Sequence, residues 1–196
     1  MGAGQVRIGE MMVRTGAAIS LCLLAPVFLL LALGVWATMG APVLFRQERC
    51  GFGGKPFVML KFRSMNDRRG SDGSPLPDEQ RVTAFGRFLR RSRLDELPGL
   101  VNIVSGDLAL VGPRPLLPET IKELGARGAA RCRVRPGLTG WSQVNGNTRL
   151  SLRRKIDLDL WYIEHKNWLL DAQILARTLS VMIFGERESQ FVRDRD

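Results

Sequence analysis

In the stretch "RSRLDELPGL" two carboxylates, Asp95 and Glu96, stand side by side in a run of cations that includes Arg87, Arg90, Arg91 and Arg93. As plain structure, an Asp ahead of Leu97, Leu100, Val101 and Val104 reads as the N-cap of an amphipathic helix, stabilising it by roughly 1 kcal/mol. Pro98 is tolerated in the first turn of such a helix. Helix amides and neighbouring arginines would then hold Asp95 ionised, with its pKa below the ordinary value. An ionised carboxylate among cations is also a nucleophile aimed at a bound anion. Attack on a phosphoryl group meets like-charge repulsion of roughly 4 kcal/mol per unit-charge pair at about 4 Å, for an effective dielectric near 20. Arginines and a divalent cation have to offset it. The division of labour that follows has arginines binding the substrate, Asp95 reacting with it and Glu96 holding Mg²⁺. That ion commonly takes one or two protein carboxylates plus phosphate oxygens.

Other residues join this chemistry. Arg114 lies between two prolines in "GPRP", which fix the backbone on either side of it. A fixed guanidinium fork suits phosphate, and an exposed Arg in a rigid turn is the plain alternative. Lys61 and Arg63 alternate along "KFRSM", either toward a substrate or on a solvated strand edge. In "RPGLTGWSQVNG" the glycines Gly137, Gly140 and Gly146 allow close backbone approach. Gln143 in the same loop is a substrate-binding candidate, whereas Trp141 reads as core. His165 is the only histidine, so a Ser-His-Asp triad or a His-ligated metal site would hang on one residue. A solvated helix face is its simpler reading.

The elements that must position these groups fit one core within 196 residues. Lys and Arg number 29 against 19 Asp and Glu, a net charge of +10 that favours anionic partners: phosphorylated substrates, anionic head groups or nucleic acid. Cys22, Cys50 and Cys132 are widely spaced and odd in number. They offer neither a disulfide framework nor a zinc knuckle and fit a reducing compartment. Between Arg14 and Arg46 run 31 residues without a charged side chain, more than the roughly 20 that cross a bilayer core. Pro26 interrupts this run and costs a helix about 3 kcal/mol. An arm from Thr15 to Ala25 spans only about 16 Å. Arg7 and Arg14 before the segment, and Arg46 and Arg49 after it, pull both ends to one side. A re-entrant hairpin broken at Pro26 and a kinked single span both satisfy these constraints.

From Arg46 onward the pattern is that of a single helix-rich α/β-type (α+β) domain. "PFVMLKFRSM" and "DLALV" read as strands and "GSDGSPLPDE" as a polar loop. Helices are expected around Val82 to Leu89, from Asp95, over Pro118 to Ala126, and through the C-terminal third. The division is thus 1–45 for the membrane segment and 46–196 for the catalytic domain.

Taken in order, "KFRSM", "LDELPGLVNIVSGDLALVGPRP" and "RPGLTGWSQVNG" behind a proline-broken apolar segment resemble the bacterial sugar transferases. More narrowly, they resemble the small monotopic polyprenol-phosphate phosphoglycosyl transferases, from about Arg14 to Phe184. The resemblance implies that Asp95 attacks the sugar-linked phosphorus of a UDP-sugar, releasing UMP and keeping the phosphosugar on its carboxylate. A polyprenol phosphate then displaces it, in ping-pong covalent catalysis. It implies Mg²⁺ at Glu96, Arg90 and Arg114 at the substrate, and a re-entrant N-terminal hairpin at the bacterial inner (cytoplasmic) membrane. The catalytic domain would lie on the cytoplasmic face, against anionic head groups, with no nucleic-acid partner and a homodimer as an option. No helical bundle precedes the hairpin, as in a minimal catalytic form. The sequence departs from the family pattern at Ala25 (often Ser, leaving Ser20 or Thr15 to serve a freed carbonyl), at Gly99 and at Asn147. Two other readings stay open. One is a membrane-anchored basic binding module. The other is an enzyme using Asp95 as a general base in a ternary complex.

Overall fold

The computed structural model describes residues 3–186. Helices α1 (Ala3–Leu23) and α2 (Ala25–Met39) meet at a bend of 64°. Pro26 lies in the first turn of α2, where its missing N–H leaves no carbonyl of that helix unpaired. Among the described residues no single helix is long and apolar enough to cross a membrane, whereas the bent pair passes that test together. Ser20 Oγ donates to Gly16 O at 2.8 Å, within its own helix. Its hydroxyl is therefore engaged within α1 and not at the Pro26 break.

Strand β1 (Leu44–Cys50) pairs antiparallel with β2 (Pro56–Phe62), Leu44 opposite Phe62 and Cys50 opposite Pro56. After the short α3 (Asp78–Arg81), Thr83 caps α4 (Ala84–Arg91) by accepting from the Gly86 amide at 2.9 Å. A 3₁₀ turn at Leu94–Glu96 precedes α5 (Gly99–Ser105). Strand β3 (Ala109–Val111) leads through α6 (Pro118–Glu123) and α7 (Ala126–Arg131) to β4 (Gly137–Thr139), which pairs with β3 in parallel. Three helices complete the described residues: α8 (Trp141–Val144), α9 (Leu152–His165) and α10 (Trp168–Phe184). The result is helix-rich α+β, with two small two-stranded sheets.

Three differences from the sequence reading have local causes. The glycine-rich loop contains a strand, because a β-carbon at Gly137 would lie 2.1 Å from Gly112 N and one at Gly140 would lie 2.0 Å from Gly112 O. Only glycine lets β4 press this closely on the turn that carries Arg114. The helix expected from Pro118 to Ala126 divides at Gly125, which sits at φ 55. Asp95 does not cap a helix: α5 starts at Gly99 with Pro98 at its N-cap position.

Apolar faces join the layers. Leu31 and Val35 of α2 pack with Phe62 and Leu89. Ala17 of α1 joins Phe57, Met59, Leu100, Ile103 and Leu108. A third cluster gathers Trp141, Leu158, Tyr162 and Ile174 from the last helices. Two arginines pin the bent pair to the domain. Arg14 donates to the C-terminal carbonyls of α5, from Nε to Val104 O at 2.8 Å and from Nη2 to Ser105 O at 3.2 Å. Arg63 donates from Nη1 to Met39 O at 3.2 Å and to Ala41 O at 3.1 Å, at the far end of α2. The middle of α1 and the C-terminal end of α2 are thus fastened to the same body.

Candidate active site

A cleft of about 520 Å³ opens between the β1–β2 hairpin, α4, the 3₁₀ turn and the "GPRP" turn. Along β1 the alternating Phe45, Gln47 and Arg49 line it, in register with Lys61, Met59 and Phe57 of β2. The 3₁₀ turn brings in Asp95 and Glu96. The chain leaves α4 through Arg93, held in the left-handed region at φ 55, ψ 17. A residue with a β-carbon adopts that conformation at a cost, and such cost collects at functional sites. Arg90 reaches the cleft from α4 and donates from Nε to Ser64 Oγ at 2.9 Å. This approach depends on Gly86, where a β-carbon would stand 1.9 Å from Ser64 O.

The two carboxylates have opposite surroundings. Glu96 is buried and accepts on Oε1 from Lys61 Nζ at 2.7 Å and Arg114 Nη2 at 2.8 Å, with Arg93 Nη1 3.9 Å from Oε2. Burial works against its charge, but Arg114, Lys61 and Arg93 outweigh it and hold Glu96 at about 2. Asp95 is half-buried. Burial and the adjacent Glu96 push it up to about 6, against the pull of Lys61, Arg114 and Arg90. The expected depression at Asp95 is therefore reversed: the cations are paired to Glu96, and Asp95 is left with the desolvation and a like charge. Two neighbouring carboxylates are thus driven apart, Glu96 fixed and charged and Asp95 raised into the range of acid–base and nucleophilic chemistry.

The sign of the pH dependence follows. A carboxylate at Asp95 acts, as nucleophile or as base, in its ionised form, which loses population as pH falls through about 6. The kcat/KM of the free enzyme should fall about tenfold per pH unit below about 6 and level off above about 7. A pH-rate profile on folded protein checks this; an acid limb near pH 4 would mean that Asp95 is not the titrating group.

Arg114 is held from behind. Its carbonyl accepts from Arg131 Nη2 at 2.7 Å. Arg131 is fixed on the buried Asp159, which also accepts from Ser142 Oγ at 2.7 Å. The proline-flanked turn thus rests on a satisfied buried network rather than hanging in solvent.

The cleft gathers Lys61, Arg63, Arg90, Asp95, Glu96 and Arg114. Arg63 lines it with its donors already engaged, to Met65 O, Met39 O, Ala41 O and Asp67. Gln143 is not in the lining. It is 1 % exposed, its Nε2 donates to Leu138 O at 3.2 Å, and its Oε1 has no partner among the described residues. Trp141 is core, stacked on Trp161 at 5.2 Å, and His165 stacks on Trp161 at the end of α9. From sequence, Arg49 enters only as a charge flanking the membrane segment, Arg93 only as one of the cations around the dyad, and Glu186 not at all. Strand alternation from Phe45 would have found Arg49; nothing local marks Glu186, which lies 93 positions from Arg93.

For Mg²⁺, the described residues hold no cluster of three or more His, Cys, Asp or Glu side chains. Glu96 Oε2 lies beyond hydrogen-bond range of Arg93 and keeps lone pairs to spare. With Lys61 and Arg114 already on Oε1, Glu96 offers an ion only its Oε2, so substrate phosphates and water would have to supply the other ligands.

The family model described as "Bacterial sugar transferase" matches residues 6–185. The uncharacterized sugar transferase EpsL of Bacillus subtilis (strain 168) is 43% identical over 172 residues, 88% of this chain and 85% of that protein. The undecaprenyl-phosphate glucose phosphotransferase of Komagataeibacter xylinus is 40% identical over 185 residues, covering 87% of this chain. The UDP-glucose:undecaprenyl-phosphate glucose-1-phosphate transferase of Caulobacter vibrioides is 41% identical over 179 residues, covering 85% of this chain. The chain spans only 35% and 66% of the lengths of these last two proteins.

Proposed function

The chain belongs to the bacterial sugar transferase family, and from that premise we propose that it is a phosphoglycosyl transferase, moving a phosphosugar from a UDP-sugar to a polyprenol phosphate and releasing UMP. The observation that carries the reading is the arrangement of the pair in the cleft: Asp95 lines it beside a buried Glu96 that takes up Lys61 at 2.7 Å and Arg114 at 2.8 Å, leaving Asp95 the carboxylate those cations do not pair with directly.

In the first step an Asp95 carboxylate oxygen attacks the sugar-linked phosphorus. The bond from that phosphorus to the bridging oxygen breaks, and the oxygen leaves with UMP. In the second step an oxygen of the polyprenol phosphate attacks the same phosphorus, and Asp95 leaves as a carboxylate. Arg90, Arg114 and Lys61 line the approach and offset the like charges at each attack. A raised pKa also makes Asp95 a better nucleophile than an ordinary carboxylate. When bound at Glu96, Mg²⁺ would neutralise diphosphate charge.

A pKa near 6 would also suit a general base in a ternary complex. A phosphate monoester, however, is already mostly dianionic at pH 7, with a second pKa near 6. Such an acceptor leaves a base little to remove, and the chemistry favours the nucleophile.

The bent α1–α2 pair supports a re-entrant anchor. Both of its arms are fastened to one body, by Arg14 in α1 and by Arg63 at the end of α2, and Leu23, Leu30 and Trp36 stand exposed on it. Exposed Trp168, Leu179, Ile183 and Phe184 on α10 suit a helix lying at the same interface. In sealed inverted vesicles, Glu10→Cys and Gln47→Cys, made one at a time in a Cys22→Ser background where the remaining Cys50 and Cys132 are buried, should both react with an impermeant maleimide from the cytoplasmic side. Labelling from opposite sides would replace the hairpin by a span.

The reaction itself is tested by UMP release from a panel of UDP-sugars with Mg²⁺ and undecaprenyl phosphate. UDP-glucose comes first, because two of the similar proteins are named for glucose transfer. Release with one donor and dependence on the lipid phosphate are expected. Silence across the panel from folded protein in lipid would overturn the reading.

A further inference from the structure

One wall of the cleft already grips an anion of the chain's own. The Glu186 carboxylate accepts on Oε1 from Arg93 Nη2 at 3.1 Å and from Asn147 Nδ2. On Oε2 it accepts from the Thr148 amide at 3.2 Å and from Thr148 Oγ1. Four donors from two distant parts of the chain therefore converge on two oxygens. The backbone is bent for the purpose: Gly146 sits at φ 142 and Asn147 at φ 42, a conformation Asn tolerates better than most residues. Runs of such conformations turn amide N–H groups into an anion-binding concavity.

Burial disfavours the Glu186 charge, yet the hydrogen bonds from Thr148 and Asn147, with Arg93, hold its carboxyl below the ordinary value. This cradle adjoins the dyad. Arg93 spans the two, with Nη1 3.9 Å from Glu96 Oε2 while Nη2 holds Glu186. Asn147, Thr148 and Glu186 line the same cleft as Asp95. A guanidinium, an amide N–H, a carboxamide and a hydroxyl arranged around two oxygens would serve a phosphate equally well.

We propose that Arg93, Asn147 and Thr148 form a second anion subsite, built for a substrate phosphate, which Glu186 fills in the substrate-free protein and vacates when that phosphate arrives. Which phosphate it takes rests on the transfer reading above: one from the nucleotide or the one on the lipid acceptor. Glu186 is then an internal competitor, and its charge sets how tightly the phosphate binds.

The test is equilibrium binding of UMP and, separately, of farnesyl phosphate to the full chain in nanodiscs, comparing parent with Glu186→Gln. The proposal expects Kd to tighten by about five- to tenfold for one of the two probes, by removal of the competing charge. A gain for UMP assigns the subsite to the donor, and a gain for farnesyl phosphate assigns it to the acceptor. Adding Asn147→Ala and Thr148→Val to Glu186→Gln should abolish the gain. Unchanged or weaker binding of both probes to Glu186→Gln overturns the proposal, as does a gain that survives loss of Asn147 and Thr148. Neither measurement needs turnover, so a failed transfer assay and a failed subsite give different results.

Discussion

Asp95→Asn should lower transfer by at least about 10³-fold, because in the proposed route both steps depend on an acyl-phosphate bond that the amide cannot form. The substituted chain should still fold. Asp95 has a raised folded pKa, so its contribution to stability is fully present below the unfolded value and is lost as pH rises through about 6. Asparagine copies the protonated form at every pH and keeps that contribution at pH 7. The expected result is an inactive protein with a Tm no lower than the parent's, read by thermal unfolding beside UMP release. A residue that is poor for stability and required for turnover is a common trade at active sites. Loss of both activity and Tm would instead make Asp95 structural.

Glu96→Gln should lower activity by about two to three orders of magnitude and move the acid limb of the pH profile downward. Glu96 is the common partner of Lys61 at 2.7 Å and Arg114 at 2.8 Å. Without its charge these cations lose their positions, and removal of one prepositioned charge contact commonly costs a factor of this size. Breaking a buried pair by one partner also leaves uncompensated charge behind, at up to about 3–5 kcal/mol where burial is complete. The limb moves because the like charge of Glu96 is one of the two causes of the raised Asp95 pKa and is removed by the substitution. Kinetics across pH 4–8 would read both effects. An unchanged limb would mean that the two carboxylates are not coupled.

Much of this site was legible in the sequence because its residues are fixed by local rules. Pro26 marks the bend, and helical spacing of Phe85, Phe88 and Leu89 places Arg90 on the opposite side of α4. Prolines on either side announce the rigid Arg114. What local rules could not reach was set by close approach and by burial. Gly137 and Gly140 read as loop residues until Gly112 is seen against them, where a β-carbon would stand 2.1 and 2.0 Å away. The direction of the Asp95 shift depends on which carboxylate claims the cations. That is decided by Lys61 and Arg114 arriving from other elements. Gln143 lies in a motif with a promising composition but points its amide at Leu138 O in the core. Glu186 has no local signature at all and enters the cleft only through the return of the chain after α10.

Covalent capture bears on the central claim most directly. The folded chain in lipid is incubated with the active UDP-sugar and Mg²⁺ without acceptor, quenched, and its intact mass taken together with that of Asp95→Asn. The account predicts a mass gain of one phosphosugar, mapped by peptide analysis to Asp95, absent from the substituted protein and removed on adding undecaprenyl phosphate. An unmodified chain, under conditions where both substrates together turn over, would contradict the aspartyl intermediate and assign Asp95 to a single displacement in a ternary complex.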